Sequence, residues 1–208
     1  MPIRIGTRSS NLAMWQARTV ASALNEAGIE TAIVQVKSMG DRSLGGNLSA
    51  TVGQFIHLID QILNEGLIDI AVHSSKDVPT TPNDAIANLA YMERDTTSDL
   101  ILFKRQNDDA SLYEVLDDDP NTSLSDLLKC IKHGSTFGTV SGRRQSLLLG
   151  QRPDLIPLSV RGHVETRIER LIEGRVDALI LAEAGICRLR TTGVLDEHND
   201  NLTAPRIS

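Results

Sequence analysis

The sequence predicts an α/β fold in two domains, and three observations carry that expectation. Apolar strand-like runs alternate with segments of helical periodicity along the chain, the pattern of mainly parallel sheets with helices on both faces. A Gly-Thr-x-Ser turn occurs once in each half, each time between a strand and a helix start. At 208 residues the chain suits one large domain or two small ones and can bury a core, and the repeated turn fits two similar halves.

The elements follow in order. Ile3–Gly6 reads as a short strand, and Ser10 is placed to cap the next helix. Ala13, Ala17, Val20 and Leu24 recur at helical spacing as far as Gly28. Thr31–Val36 alternates as a strand does, and residues 38–54, rich in Gly, Ser and Asn, read as a mobile loop of lid length. Phe55–Leu63 is a helix that leads into a strand at Ile68–Val72. Further strands are expected at Ala85–Tyr91 and Asp99–Lys104, and the acidic stretch 106–122 reads as a solvated insertion. Ser123–Lys132 is helical, Ser135–Val140 a strand, Gly142–Gly150 a helix and Ile156–Val160 a strand. Val164, Ile168, Leu171 and Ile172 mark one helix face, Asp177–Ala182 is a strand and Glu183–Arg190 the last helix.

Composition removes several function classes. Hydrophobic residues at 40% and charged residues at 23% are ordinary for a soluble globular protein. Aromatics at 3% argue against a base-stacking platform, and a net charge of −6 argues against a general polyanion binder, so no nucleic-acid partner is expected. Cys130 and Cys187 have no second ligand at metal spacing, so neither a disulfide framework nor a metal site is expected. No apolar run reaches membrane-spanning length and no signal-peptide core follows Met1-Pro2, which makes the cytoplasm the expected location.

The chemistry gathers at turns that follow strands. Asp69-Ile-Ala-Val-His-Ser-Ser-Lys-Asp-Val-Pro79 carries Lys76 and Asp77 to a strand's carboxyl end, where α/β folds handle ligands; a solvated charged turn is the plain alternative. Gly6-Thr7-Arg8-Ser9-Ser10 and Gly138-Thr139-Val140-Ser141-Gly142-Arg143-Arg144 collect backbone N–H groups, hydroxyls and arginines at helix starts, which suits an anion. Arg161 in the Ser159–His163 turn, Arg167 beyond it and Arg188 on the last helix add more guanidinium groups. One arginine is usually a surface residue. Several at such turns in an acidic protein point to a ligand with several carboxylates or phosphates. His73 and Trp15 read as structural, and there is no P-loop, complete dinucleotide fingerprint or nucleophile elbow.

Through nearly all of its length the chain resembles the hydroxymethylbilane synthase (porphobilinogen deaminase) family. The resemblance rests on Gly6–Gln16, Asp69–Pro79, Gly138–Gln145, Arg152-Pro-Asp-Leu155, Ser159-Val-Arg-Gly162, Val164–Arg167 and Ala182–Arg188, in the family's order. It implies two periplasmic-binding-protein-like domains with a cleft between them, at about 1–92 and 98–205, with hinge material at 93–97 and a truncated second hinge at 206–208. It also implies a transferase that deaminates porphobilinogen and joins four units into linear hydroxymethylbilane, in porphyrin and haem biosynthesis. Asp77 would be the catalytic carboxylate, stabilising the azafulvene cation formed as ammonia leaves. Arg8, Ser10, Lys76, Arg143, Arg144, Arg161, Arg167 and Arg188 would grip acetate and propionate groups of porphobilinogen and oligopyrrole intermediates, with Thr139 and Ser141 beside them.

The sequence departs from the family pattern in four places. Ala50-Thr-Val-Gly-Gln-Phe55 replaces a Gly-Gly-Lys-Gly-x-Phe loop, with Val52 at the lysine's position. His163 stands for an asparagine and Gly142 for a leucine. The chain stops at Pro205-Arg-Ile-Ser208, before the third domain whose cysteine carries the family's dipyrromethane cofactor, and neither Cys130 nor Cys187 lies in the matching Gly-Gly-Cys context. The expected enzyme is therefore a chain that is truncated, or one completed by a separate polypeptide that supplies that domain. The alternative function is a non-catalytic relative that binds a pyrrole or another polycarboxylate.

Overall fold

The computed structural model describes residues 1–36, 54–79, 84–104, 124–129, 131–196, 202–203 and 206–207. The expected lid loop, the acidic insertion, the Val52 substitution and Cys130 lie outside them. The chain divides into two compact units, Met1–Arg94 and Asp95–Ser208.

In the first unit, strands β1 (Ile3–Arg8), β2 (Thr31–Val36) and β3 (Ile70–Ala71) form an all-parallel sheet in the order β2-β1-β3. Side-chain alternation sorts its two faces. Ile3, Ile5 and Ile33 meet Ala17, Ala21 and Leu24 of helix α1 (Asn11–Glu26), while Val34 and Val36 meet Ile59 and Ile62 of helix α2 (Gln54–Asn64). Helices thus cover both faces, as the alternation of elements predicts.

The β3 ladder is short, but its pairing with β1 runs further. Asp69 N–H donates to the Arg4 carbonyl at 2.8 Å and Val72 N–H to the Gly6 carbonyl at 3.0 Å. Arg4 returns its own N–H to Asp69 Oδ2 at 2.8 Å and adds side-chain bonds of 2.7 and 2.9 Å to the same carboxylate. Those bonds from Arg4 hold the Asp69 carboxyl down at about 2. A lowered folded pKa means that the stabilisation is complete above the unfolded value of 3.8 and is lost as pH falls through about 2. An NMR titration should find the Asp69 carboxyl still ionised at pH 3, and Arg4→Met should return its midpoint to the ordinary carboxylate range.

The second unit contains a mixed sheet of order β6-β5-β7-β4-β8, with β9 also on β4. Its strands are β4 (Asp99–Lys104), β5 (Thr136–Gly138), β6 (Ile156–Leu158), β7 (Ala178–Ala182), β8 (Leu202–Thr203) and β9 (Arg206–Ile207). β5 runs parallel to both β6 and β7, but β4 is antiparallel to β7, β8 and β9. The expected mainly parallel arrangement therefore holds for the first sheet and for half of the second.

Among the described residues, four helices flank this sheet: α3 (Leu124–Lys129), α4 (Gly142–Gln151), α5 (Val164–Ile172) and α6 (Glu183–Arg190). Ile101, Phe103, Phe137 and Ile180 pack with Leu128 and Leu148 on one face. The alternating residues Leu100, Leu102, Leu179 and Leu181 are buried on the other face, where α5 and α6 lie against β7.

Arg152-Pro-Asp-Leu155 is a structural clasp. Arg152 forks onto Asp154 with two bonds of 2.7 Å and also donates to the Leu128 and Ile131 carbonyls, tying α3 to the chain before β6. That fork and the Gly134 N–H keep the Asp154 carboxyl well below the usual carboxylate range.

One expected strand is absent. Residues 84–91 form a turn and irregular chain, with Leu89 and Tyr91 each 77% exposed. Among the described residues the run joins neither sheet, and without a ladder an apolar run does not become a strand.

Candidate functional site

Each unit builds a polar cluster at the carboxyl ends of its parallel strands. In the first unit β1 extends through Arg8, two residues beyond the expected Gly6 end. Thr7 is fully buried, and its hydroxyl donates to the Ala13 carbonyl at 3.1 Å, locking the strand end to α1. Ser10 caps α1 by accepting the Ala13 N–H at 3.3 Å, as its position in the sequence predicts.

Beside this turn, the chain leaving β3 passes His73 and Ser74 into a 3-10 turn, Ser75–Asp77. Asp77 N–H donates to the Ser74 carbonyl at 2.9 Å. Lys76 and Asp77 are both exposed. His73 senses the charges of both Asp77 and Arg8, so the parallel pairing brings those two predicted site residues to one end of one sheet.

In the second unit β5 ends at Gly138, and Thr139 N–H still reaches the Leu158 carbonyl at 3.0 Å. Thr139 is 2% exposed, and its hydroxyl accepts the Ser141 N–H at 3.2 Å, so this side chain shapes the turn. Ser141 caps α4, accepting from Arg144 N–H. The repeated Gly-Thr-x-Ser pattern is therefore offset in space. The capping serine comes four residues after Gly6 but three after Gly138.

Arg143 is exposed on the first turn of α4. Arg144 instead forks onto Asp99 at 2.5 and 2.7 Å, and both residues line a cavity of about 330 Å³ together with Thr97, Ser98 and Leu147. The strongly charge-assisted fork leaves Arg144 partly committed within its own unit.

After β6, Gly162 at φ 113° turns the chain into α5. Arg167 Nε donates to the Gly162 carbonyl at 2.8 Å, and Arg170 donates to the Arg161 carbonyl at 2.9 Å, so α5 holds the turn that presents exposed Arg161. His163 takes the N-cap position of α5 without a side-chain cap bond. Burial lowers the Arg167 pKa, and the neighbouring charges of Arg144 and Arg170 push it the same way. Arg188 on α6 lies 3.3 Å from Asp95, and Thr96 donates to Glu183 at the start of that helix at 2.7 Å.

Sequence reasoning missed the partners of these residues. Asp99 answers Arg144, Gln16 bonds Ser74, Asp60 faces His73, and Arg170 supports the Arg161 turn. Among the described residues, no group of three or more His, Cys, Asp or Glu could hold a metal, and no helix is long and apolar enough to cross a membrane.

Residues 3–206 match the family described as porphobilinogen deaminase, dipyromethane cofactor binding domain. The chain belongs to the porphobilinogen deaminase family. Among its relatives, the "Probable porphobilinogen deaminase" of Methanosarcina barkeri is 39% identical over 188 residues, covering 89% of this chain and 54% of that one. The porphobilinogen deaminase of Geobacter sulfurreducens is 38% identical over 200 residues, covering 94% and 57%. The chain thus spans little more than half the length of these relatives. An ancestral cationic amino acid solute binding protein aligns over 98% of this chain and 75% of its own, at 15% identity and a TM-score of 0.48.

The arginine-rich second unit suits the carboxylates of the dipyrromethane group named for this family. The covalent anchor is a different matter: Cys187 is exposed on α6, and the structure shows no attachment site around it.

Proposed function

We propose that this chain is the substrate- and cofactor-gripping part of a cytoplasmic porphobilinogen deaminase, a transferase that builds linear hydroxymethylbilane from four porphobilinogen units. The observation that supports the reading is that Asp77 and Arg8 both act on the charge of His73 at the end of the first sheet. A binder of carboxylates alone gains nothing from an anion set among cations, whereas a reaction through a cationic intermediate needs one. Arg8 and Lys76 in the first unit, and Arg143, Arg144, Arg161, Arg167 and Arg188 in the second, would receive acetate and propionate groups. Ser10, Thr139 and Ser141 would hold the turns beside them. Dipyrromethane, when bound, supplies the pyrrole on which the chain grows. Its cysteine anchor would come from a further domain or a separate polypeptide.

Isothermal titration of the purified chain with porphobilinogen tests the grip. Arg143 is an exposed cation on a helix turn, so Arg143→Ala should raise Kd about tenfold or more, in keeping with about 1.5–3 kcal/mol for a charged hydrogen bond, with an unchanged unfolding midpoint. Equal affinity in the variant removes Arg143 from the site. Turnover with and without an added third domain then separates the enzyme from a non-catalytic binder.

A further inference from the structure

The two residues that precede the 3-10 turn are tied to two different helices. Ser74 exchanges hydrogen bonds with the Gln16 amide of α1, at 2.9 Å from Nε2 and 3.2 Å to Oε1. His73 Nε2 lies 3.3 Å from Oδ1 of Asp60 on α2, a close contact that lacks the alignment of a hydrogen bond. The His73 ring and the Asp60 carboxylate are only 15% and 20% exposed. The turn's own hydrogen bond runs from Asp77 N–H back to the carbonyl of Ser74, the residue after His73.

We propose that His73 and Asp60 are a positioning pair for Asp77, with neutral His73 directing its Nε2–H at Asp60 and so fixing the strand end from which the turn springs. The inference rests on the reading of Asp77 as the reacting carboxylate. The Asp60 acceptor selects the Nε2–H tautomer. Three charged groups face the imidazole: Asp60 from α2, Asp77 from the turn and Arg8 from β1. Burial is the largest influence and keeps the ring neutral at pH 7, against the pull of the two carboxylates; Arg8 acts in the same direction as burial. Acidification would place a cation on the ring and turn it into a competitor for Asp77.

An ¹⁵N NMR titration of the full chain, with porphobilinogen affinity measured in parallel, tests the pair. The Lys76 and Asp77 amides should titrate together with the His73 ring, at a midpoint below 6.5. Asp60→Asn should lower that midpoint, shift the Asp77 amide already at pH 7.5, and weaken porphobilinogen binding severalfold. His73→Gln keeps a neutral N–H donor. It should abolish the titration while keeping Asp77 near its wild-type resonance and binding within about threefold. Asp77 amides that ignore Asp60→Asn, or that titrate unchanged in His73→Gln, overturn the proposal. A wild-type chain that binds no porphobilinogen would instead overturn the proposed function, and the amide titration would still decide the role of His73.

Discussion

Asp77→Asn should leave the protein folded and able to bind porphobilinogen while turnover falls by about a hundredfold or more, the scale seen when one preorganised electrostatic group is removed from an active site. The separation of effects follows from where Asp77 sits. Its side chain is exposed on a three-residue 3-10 turn and takes no part in either core cluster of the first unit. Surface substitutions of that kind usually change stability by less than about 0.5 kcal/mol. In the proposed reaction the aminomethyl C–N bond breaks, the electron pair leaves with ammonia, and a cationic azafulvene remains. A carboxylate stabilises that cation, whereas an isosteric amide supplies dipole without charge. Turnover by the complete enzyme carrying the change, compared with porphobilinogen affinity measured separately, gives the result. A variant retaining more than a tenth of the wild-type rate would remove Asp77 from the chemistry.

Turn chemistry was the most legible part of the site. Ser10 could be identified as a cap, and the arginines could be placed at helix starts, because capping and strand-to-helix turns are encoded within a few residues. The partners were not legible, because each acts across the fold. Gln16 and Ser74 are 58 residues apart and Asp99 and Arg144 are 45 apart, and no local pattern pairs them. Strand direction was hidden for the same reason. Asp99–Lys104 reads as a strand whichever way it runs, and only the fold sets it antiparallel to β7. The mistaken strand at Ala85–Tyr91 shows the converse failure, since a short apolar run carries β character but not the neighbour that would complete its ladder.

Gly138→Ala should cost about 1–3 kcal/mol, the usual range for forcing extra volume into a packed site. A Cβ at this position would stand 2.7 Å from Val160 Cγ2 and 3.1 Å from Leu179 Cδ1. Val160 is 4% exposed and Leu179 is fully buried, so neither has open space into which to retreat. Because Gly138 is the last residue of β5 and Val160 immediately precedes Arg161, the added methyl should also push the Thr139–Ser141 turn away from the Arg161 turn and weaken porphobilinogen binding. Val160→Ala removes the obstructing methyl, so the double variant should lose less stability than the two single losses added together, a coupling of about 0.5 kcal/mol or more for residues in contact. Urea midpoints of the four proteins measure that coupling, and strict additivity would show that the clash is relieved elsewhere. Gly142→Ala, four residues on, is the control. A Cβ there meets nothing within 4 Å, and alanine favours the helix, so its midpoint should stay level or rise. Gly6 is crowded in the same way: its Cβ would fall 2.2 Å from Cδ1 of Ile68, a residue 1% exposed. The glycine that opens each Gly-Thr turn thus faces a buried side chain packed over the strand end, although the capping serines that follow do not align.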